Sequence, residues 1–293
     1  MNSHYPVMNS EVISVLRGSE GDLFLDCTVG MGGHASMILD KFPESELIAV
    51  DADSESIKMA EHNLAHYGNR VMFIRDQFTS VLKNKNIDWE RISGVLVDPG
   101  LSVYQIKSGG RGFSHSENSR LDMRKEIGEG ISAHEVINKF KEKELAEIFE
   151  KFGEIRNSKG FAKRIIERRL FQKIDTSDQL RKITEDFFGW RPKRGRTHPA
   201  AKVFQALRIY VNKELEGISD FLESLAGRMK SGARIVFLTF HSLEDRMIKE
   251  VFRKLKESGA AKIIKPFPMK PTEEEISKNN PSRSAKLRAV EIL

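Results

Sequence analysis

The chain of 293 residues is poor in cysteine, with Cys27 as its single example. One cysteine excludes an internal disulfide framework and a zinc site built from cysteines. The chain also lacks any apolar run that approaches the length of a membrane span. Its first residues lack the basic-then-apolar pattern of a secretion signal. These absences predict a soluble cytoplasmic protein with no membrane partner.

Charge is abundant but unevenly distributed. The net charge is +6, yet residues 107–208 contain 24 Lys+Arg against 15 Asp+Glu, and the rest of the chain nets −3. A localised basic excess is typical of a surface that binds a polyanion, and nucleic acid is the commonest one. The alternative is a solvated helical surface that is rich in lysine.

Short β-rich runs alternate with helical patterns in the first hundred residues. The predicted strands are 23–27, 47–51, 71–75 and 93–98. This alternation predicts βαβ units and a parallel sheet. Residues 107–208 contain no convincing strand. Their helix starts include capping boxes at Ser132 with Glu135 and at Thr176 with Gln179, and residues 136–152 form one predicted amphipathic helix.

The α/β pattern then returns. Residues 199–229 are predicted to form one long helix that starts with Pro199, followed by strands at 233–240, 261–265 and 286–293. The sequence therefore predicts an α/β, Rossmann-like sheet interrupted by an inserted all-helical domain. The predicted sheet domain is discontinuous, 1–106 and 209–293, and the basic helical domain is 107–208. A ligand site is expected at the carboxyl ends of the strands.

A glycine-rich motif, "GMGGHA" at 30–35, follows the first predicted strand. It fits the G-x-G-x-x-A pattern, and an acid, Asp51, follows 21 residues after Gly30. A dinucleotide is therefore one candidate ligand, and a nicotinamide-dependent oxidoreductase is one candidate function. In that fold, however, the first glycine follows the strand almost directly, whereas here residues 26–29 intervene.

The acids at the predicted strand ends favour a different nucleoside ligand. Asp26, Asp51 and Asp98 end three of the strands. Three carboxylates would repel a pyrophosphate but suit S-adenosylmethionine, whose sulfonium and ammonium are both cationic. In the alternative interpretation, Asp26 only caps a helix and Gly33 only permits close packing.

Seven stretches, in order along nearly the whole chain, make the sequence resemble the bacterial 16S ribosomal RNA cytosine-N4 methyltransferases, the RsmH or MraW family. They are "HYPVMNSEVI" (4–13), "DCTVGMGGHA" (26–35), "AVDAD" (49–53), "RGFS…LDMR" (111–124), "RTHPAAKVFQALRIYVNKEL" (196–215), "FLTFHSLEDRMIK" (237–249) and "NPSRSAKLRAVE" (280–291). The resemblance implies a class I S-adenosylmethionine-dependent methyltransferase sheet and a possible homodimer. It also implies the cofactor-binding residues Gly32, Gly33, His34, Asp51 (on the ribose), Phe78 (beside the adenine), and Asp98 and Gln105 (nearer the methionine end). The glycine motif and the strand-end acids add Asp26 and Gly30 to the predicted cofactor-binding residues. Without the resemblance, the sequence would predict that Phe78 is an aromatic residue of the core and that Gln105 lies in a surface loop.

The turn "DPGLS" at 98–102 is the predicted catalytic element. The exocyclic amine of cytosine is a poor nucleophile, so acceptors for its N–H groups would help, and the Asp98 carboxylate and the Pro99 carbonyl are suitable. The family usually reads D-L-G-V-S-S here, so the chain departs from it. The candidates for stacking on the target base are Tyr104, Phe113 and the pair Phe240-His241. His241 is either a catalytic helper or the cap of a turn.

The predicted function is S-adenosylmethionine-dependent N4-methylation of a cytidine in the decoding region of 16S ribosomal RNA. The alternatives are a non-enzymatic RNA-binding protein with a methyltransferase fold and the oxidoreductase. The expected partner is 16S rRNA or the small ribosomal subunit, and no metal is required. Phosphate contacts are predicted at Arg191, Lys193, Arg194 and Arg196. Lys202 and Arg208 either join them or form ion pairs on a helix surface.

Overall fold

The computed structural model describes residues 6–18, 21–100, 110–126, 128, 130–192 and 197–293. The chain divides into two compact units, one of Met1–Gly100 with Glu216–Leu293 and one of Leu101–Leu215. The helical unit thus begins six residues before the predicted insertion and ends seven residues after it.

The discontinuous unit contains a seven-stranded sheet in the order β3-β2-β1-β4-β5-β7-β6. The first five strands are parallel, β7 runs antiparallel to β5, and β6 runs antiparallel to β7. The seven predicted strands are confirmed with shifts of one or two residues at their ends. Their bounds are Leu23–Asp26 (β1), Glu46–Asp51 (β2), Val71–Arg75 (β3), Ile92–Val97 (β4), Arg234–Thr239 (β5), Ala261–Ile263 (β6) and Lys286–Ile292 (β7).

Helices cover this sheet because its central strands are apolar on both faces; β1, β4 and β5 are buried along their whole length. One apolar cluster joins the sheet to the first three helices through residues such as Val12, Ile38 and Leu64. The helices of this unit are Asn9–Val15 (α1), Gly33–Lys41 (α2), Ser54–Leu64 (α3), Ile218–Ala226 (α9), Ser242–Glu257 (α10) and Glu273–Lys278 (α11).

The helical unit has its own apolar core, which includes Phe149, Phe161 and Leu180. Its helices are Ala133–Lys139 (α4), Glu142–Gly153 (α5), Ser158–Phe171 (α6), Ser177–Phe188 (α7) and Pro199–Asn212 (α8). Both predicted capping boxes are present, at Ser132 before α4 and at Thr176 before α7. None of the helices in the described ranges is long and apolar enough to cross a membrane.

Two helix predictions are wrong because apolar periodicity continues across a break. The segment 136–152 is divided at Phe140 and Lys141, whose backbone is extended. The predicted helix 199–229 is also two helices. Lys213 adopts a left-handed conformation (φ 51°) that ends α8, and Gly217 (φ 74°) precedes α9. The division between the two compact units falls inside this second break.

Candidate active site

Three carboxylates meet where the strand order reverses. The chain runs from β1 outward to β3 and then returns to β4 on the other side of β1, so β1 and β4 flank a topological switch point. Asp26 ends β1, Asp51 ends the adjacent β2, and Asp98 directly follows β4. Since these strands are parallel, their acids lie at one edge of the sheet, where ligands bind in folds of this kind.

The surroundings of Asp26 strongly raise the pKa of its carboxyl group. Burial raises its pKa strongly, a hydrogen bond from the Thr28 N–H lowers it, and the neighbouring charges of Asp98 and Asp51 raise it again, which leaves the pKa at about 7. The carboxyl group therefore lies in a dry site with two other acids. A cationic ligand would restore its ionised form, so this group of residues fits the sulfonium and ammonium of S-adenosylmethionine.

The three residues between β1 and Gly30 form a loop that is bonded to both neighbouring strands. Cys27 N–H donates to the Leu96 carbonyl (2.9 Å) and Val29 N–H donates to the Val50 carbonyl (2.8 Å). The Asp98 N–H donates to the Thr28 hydroxyl oxygen (2.6 Å). The longer loop, compared with a dinucleotide fold, therefore ties β1, β2 and β4 together and holds the three acids in place.

The glycines of the motif serve different purposes. A Cβ on Gly33 would lie 2.6 Å from the Pro6 ring, and one on Gly32 (φ 87°) would lie 3.0 Å from Leu64. These two glycines permit close packing between separate segments of the chain. Gly30 (φ 53°) differs, because a Cβ there would meet nothing closer than a carbonyl oxygen at 3.9 Å. Open space beside the backbone thus occurs at Gly30.

Asp51 orients the loop in which Gly30 lies. Its Oδ2 accepts the Gly30 N–H at 2.9 Å, and its Oδ1 accepts the Asp53 N–H at 2.9 Å. A carboxylate offers about four acceptor positions. These two bonds are therefore compatible with further donors such as ribose hydroxyls.

His34 links the amino-terminal segment to Asp98. Its Nε2 lies 3.0 Å from the Val7 carbonyl, which can only accept, so Nε2 bears the proton. Its Nδ1 lies 3.6 Å from Asp98 Oδ2 and pairs with it when the ring is protonated. The His34 side chain is buried on α2, so it approaches Asp98 from within the protein.

Phe240 packs against the "DPG" turn. A Cβ on Gly100 would lie 3.1 Å from the Phe240 ring and 3.3 Å from Asp98 Oδ1. Phe240 is half-buried and follows β5 directly. Phe240, one of the candidates for stacking on the base, therefore lies close to Asp98. His241 caps α10, since its Nδ1 accepts the Glu244 N–H at 3.3 Å.

The other predicted cofactor residues have mixed outcomes. Phe78 is half-buried after β3, and its ring packs edge-on against Phe221 of α9 with centroids 5.3 Å apart. Gln105, predicted to contact the cofactor, and Tyr104, predicted to stack on the base, lie outside the described residues.

Of the residues predicted to bind RNA, Arg191 is exposed after α7, whereas Lys193, Arg194 and Arg196 lie outside the described residues. Arg208 instead pairs with Glu214 (Nε to Oε1, 3.1 Å). Within the described ranges, no group of three or more His, Cys, Asp or Glu side chains could hold a metal ion.

One structural ion network was missed by the sequence reasoning. Asp245 on α10 accepts from Arg288 Nε (2.8 Å) and Lys286 Nζ (2.7 Å) on β7. Burial raises the pKa of Asp245, but the hydrogen bonds from Arg288 and Lys286 outweigh it and hold the pKa below its usual value. The network joins the stretches 237–249 and 280–291. The signal for it was the spacing of two cations, two residues apart on one face of a strand.

Comparisons with known proteins match the whole chain. The model of the MraW methylase family matches residues 1–293. Proteins named ribosomal RNA small subunit methyltransferase H are 40% identical in Thermotoga neapolitana (99% of this chain, 96% of the relative) and 37% identical in Persephonella marina (98% of each). A solved rRNA methylase from Streptococcus thermophilus shares 10% identity over 97% of this chain and 93% of that one, with a TM-score of 0.43.

Proposed function

Since the chain belongs to the MraW methylase family, we propose that it transfers a methyl group from S-adenosylmethionine to the N4 atom of a cytidine in the decoding region of 16S ribosomal RNA. The carrying observation is the group of Asp26, Asp51 and Asp98 around the switch point, with the pKa of Asp26 raised to about 7. A nicotinamide-dependent oxidoreductase would need the acid after β2 but leaves the other two without a role.

The cofactor supplies an electrophilic methyl group on a positively charged sulfur. Asp26 and Asp98 provide negative charge for its cationic groups, Asp51 accepts from the ribose, and the open backbone at Gly30 admits the ligand. The loop bonds described above keep these groups in place before binding. Positioning two reactants in this way contributes up to about 7–11 kcal/mol to a rate in favourable cases.

Asp98 and Pro99 receive the acceptor amine. The Asp98 carboxylate accepts one N4–H and the Pro99 carbonyl accepts the other, which holds the nitrogen in line with the methyl group. The Thr28 hydroxyl accepts from the Asp98 N–H and holds the backbone of Asp98, and His34, when protonated, pairs with its carboxylate. Acceptors that are already oriented favour the positive charge that develops on the nitrogen, and the Asp98 carboxylate takes the proton that N4 loses when it gains the methyl group.

Phe240 stacks on the flipped cytosine. It lies against Gly100, next to the two acceptors. Enzymes that modify a base commonly hold it between aromatic or apolar side chains. The helical unit, 101–215, holds the RNA through its basic surface, which includes Arg191.

Nucleoside analysis of 16S rRNA tests this proposal in cells. Removing the gene should remove N4-methylcytidine from the decoding region, and the wild-type gene should restore it. Asp98→Ala should not restore it, whereas Asp88→Asn should, because Asp88 is an exposed acid at the opposite end of β4. Unchanged N4-methylcytidine after gene removal would refute the proposed substrate.

Calorimetric titration separates the candidate ligands. S-adenosylmethionine should bind, and NAD should not compete with it. The homodimer that the resemblance implies and the cytoplasmic location stay predictions, and sedimentation of the purified chain tests the first of them.

A further inference from the structure

The carboxyl-terminal end of α6 exposes two adjacent apolar side chains. Leu170 is 79% exposed and Phe171 is 90% exposed. The other large apolar side chains that are exposed within the described ranges and away from the chain end, Met72 and Phe188, reach only 42% and 38%. Two adjacent apolar side chains with this exposure form a candidate contact surface for another molecule.

The position of the pair follows from the pattern of the helix. The face of α6 that enters the core contains Phe161, Ala162 and Ile165. Residues three and four positions apart share a face, so the next position on the core-facing side is 169, which is half-buried, rather than 170 or 171. Leu170 and Phe171 are therefore directed away from the core of the helical unit.

Arg169 holds this end of the helix in place. Its guanidinium donates to the carbonyls of Ile137 and Phe140 at 2.7 Å each. These carbonyls lie at the end of α4, where the carbonyls of a helix have no partner within it. The bonds tie the last turn of α6 to α4, so the two apolar residues are presented on an anchored turn.

Exposed cations lie near the pair along the chain. Lys163, Arg168 and Lys173 are exposed on α6 or just after it, and none of them forms an ion pair with a described residue. The one exposed acid of this helix, Glu167, lies 4.0 Å from Arg164. The surface thus combines an aromatic ring with positive charge.

We propose that Leu170 and Phe171, with Lys163, Arg168 and Lys173, bind a single-stranded segment of the RNA substrate. An unpaired base stacks on the Phe171 ring, and the cations contact phosphates on either side of it. Stacking on aromatic side chains within a positive surface is how proteins hold single strands without reading their sequence. This inference rests on the proposed function only for the identity of the RNA.

Charge argues against a second copy of the chain as the partner. A symmetric dimer brings the same surface of both copies together. Here that contact would place Lys163, Arg168 and Lys173 of one copy against the same cations of the other, and like charges repel. A polyanion removes this repulsion.

Fluorescence anisotropy with a fluorescein-labelled single-stranded 12-mer RNA tests the surface. Phe171→Ala should weaken binding roughly five- to a hundredfold, as expected for one lost stack, without changing its salt dependence. Arg168→Gln should instead lower the slope of log affinity against log salt by about 0.7, the value for one phosphate contact on a single strand. Phe171→Tyr, which keeps the ring, should bind as the wild type does.

Two controls address folding and general effects. Phe171→Ala should leave the melting temperature unchanged because the side chain is almost fully exposed. Met72→Ala, which removes an exposed apolar side chain from the sheet unit, should leave RNA affinity unchanged. Phe171→Trp should show fluorescence quenching on addition of the RNA, above the background from Trp89 and Trp190.

The same affinity for Phe171→Ala and the wild type would overturn the proposal, as would an equal loss in Met72→Ala. A Phe171→Ala variant that sediments as a smaller species than the wild type would assign the surface to contact between copies instead.

Methyl transfer to small ribosomal subunits distinguishes this failure from failure of the proposed function. If the wild type methylates the subunits and Phe171→Ala has the same KM, the function stands and the surface fails. If the wild type binds RNA through Phe171 but transfers no methyl group, the surface stands and the proposed function fails. If both are right, Phe171→Ala raises KM and leaves kcat near the wild-type value.

Discussion

Replacing Asp26 by asparagine should stabilise the cofactor-free protein while weakening its binding site. Asparagine has the same shape, and its Oδ1 can still accept the Thr28 N–H that Asp26 accepts at 3.1 Å. The change removes a buried carboxyl group that is difficult to ionise. Burial is the main reason, and the negative charges of Asp98 and Asp51 add to it. We therefore expect stability and cofactor affinity to move in opposite directions.

The magnitude follows from the pKa of the carboxyl group. Its pKa rises from 3.8 to about 7 on folding, which corresponds to about 4 kcal/mol at 1.36 kcal/mol per unit. A group whose pKa is higher in the folded state contributes stability that is fully present below the unfolded value and is lost as the pH rises through the folded one. The wild type should thus lose this stability between about pH 4 and pH 7.

Denaturant unfolding at two pH values measures the effect. Asp26→Asn should be more stable than the wild type by up to about 4 kcal/mol at pH 8 and by less than about 2 kcal/mol at pH 5. The control, Asp88→Asn, changes an exposed acid and should show little difference at either pH. Equal stability of Asp26→Asn and the wild type at pH 8, or the same gain at both pH values, would refute the argument.

Calorimetry on the same protein completes the test. The affinity of Asp26→Asn for S-adenosylmethionine should fall roughly tenfold to a hundredfold, as for the loss of one hydrogen bond to a charged group. An affinity equal to that of the wild type would remove Asp26 from the binding site.

Three further changes test other parts of the structure. Gly33→Ala should lower the melting temperature in thermal melts because its methyl group would overlap a proline ring at 2.6 Å. Gly30→Ala, at a positive φ beside open space, should lower cofactor affinity in calorimetry by more than its loss of stability explains. Thr176→Ala should cost about 1 kcal/mol by removing the capping box of α7, and Thr176→Ser should retain it in denaturant unfolding. Glu291→Ala should cost about 3–5 kcal/mol because it leaves the buried Arg234 without its carboxylate; a loss below about 1 kcal/mol would contradict this.

Local patterns predicted the sheet well. Each strand is a short apolar run bounded by loops, so its position depends on residues close in sequence. The meeting of Asp26, Asp51 and Asp98 also followed from local reading, because parallel strands place their carboxyl ends at one edge. The match to the MraW methylase family confirms the family that the sequence motifs predicted.

Features that depend on distant residues were not predictable in this way. Gly33 is required by the ring of Pro6, which lies 27 residues earlier in the chain; the motif left both a ligand and close packing open and did not identify this partner. The break within residues 199–229 was missed because the apolar periodicity continues across it. The residue that ends α8 in a left-handed conformation is Lys213, whereas glycine is the usual sequence signal for that conformation. The exposure of Phe171 depends on how α6 packs, which composition does not reveal.

Transfer of labelled methyl groups by the purified chain tests the central claim most directly. Small ribosomal subunits from cells that lack this protein would be incubated with labelled S-adenosylmethionine, and their RNA digested to nucleosides. The account predicts label in N4-methylcytidine with the wild type and with Asp88→Asn, and none with Asp98→Ala. Absence of label on subunits and on free 16S RNA, despite measurable cofactor binding, would contradict it.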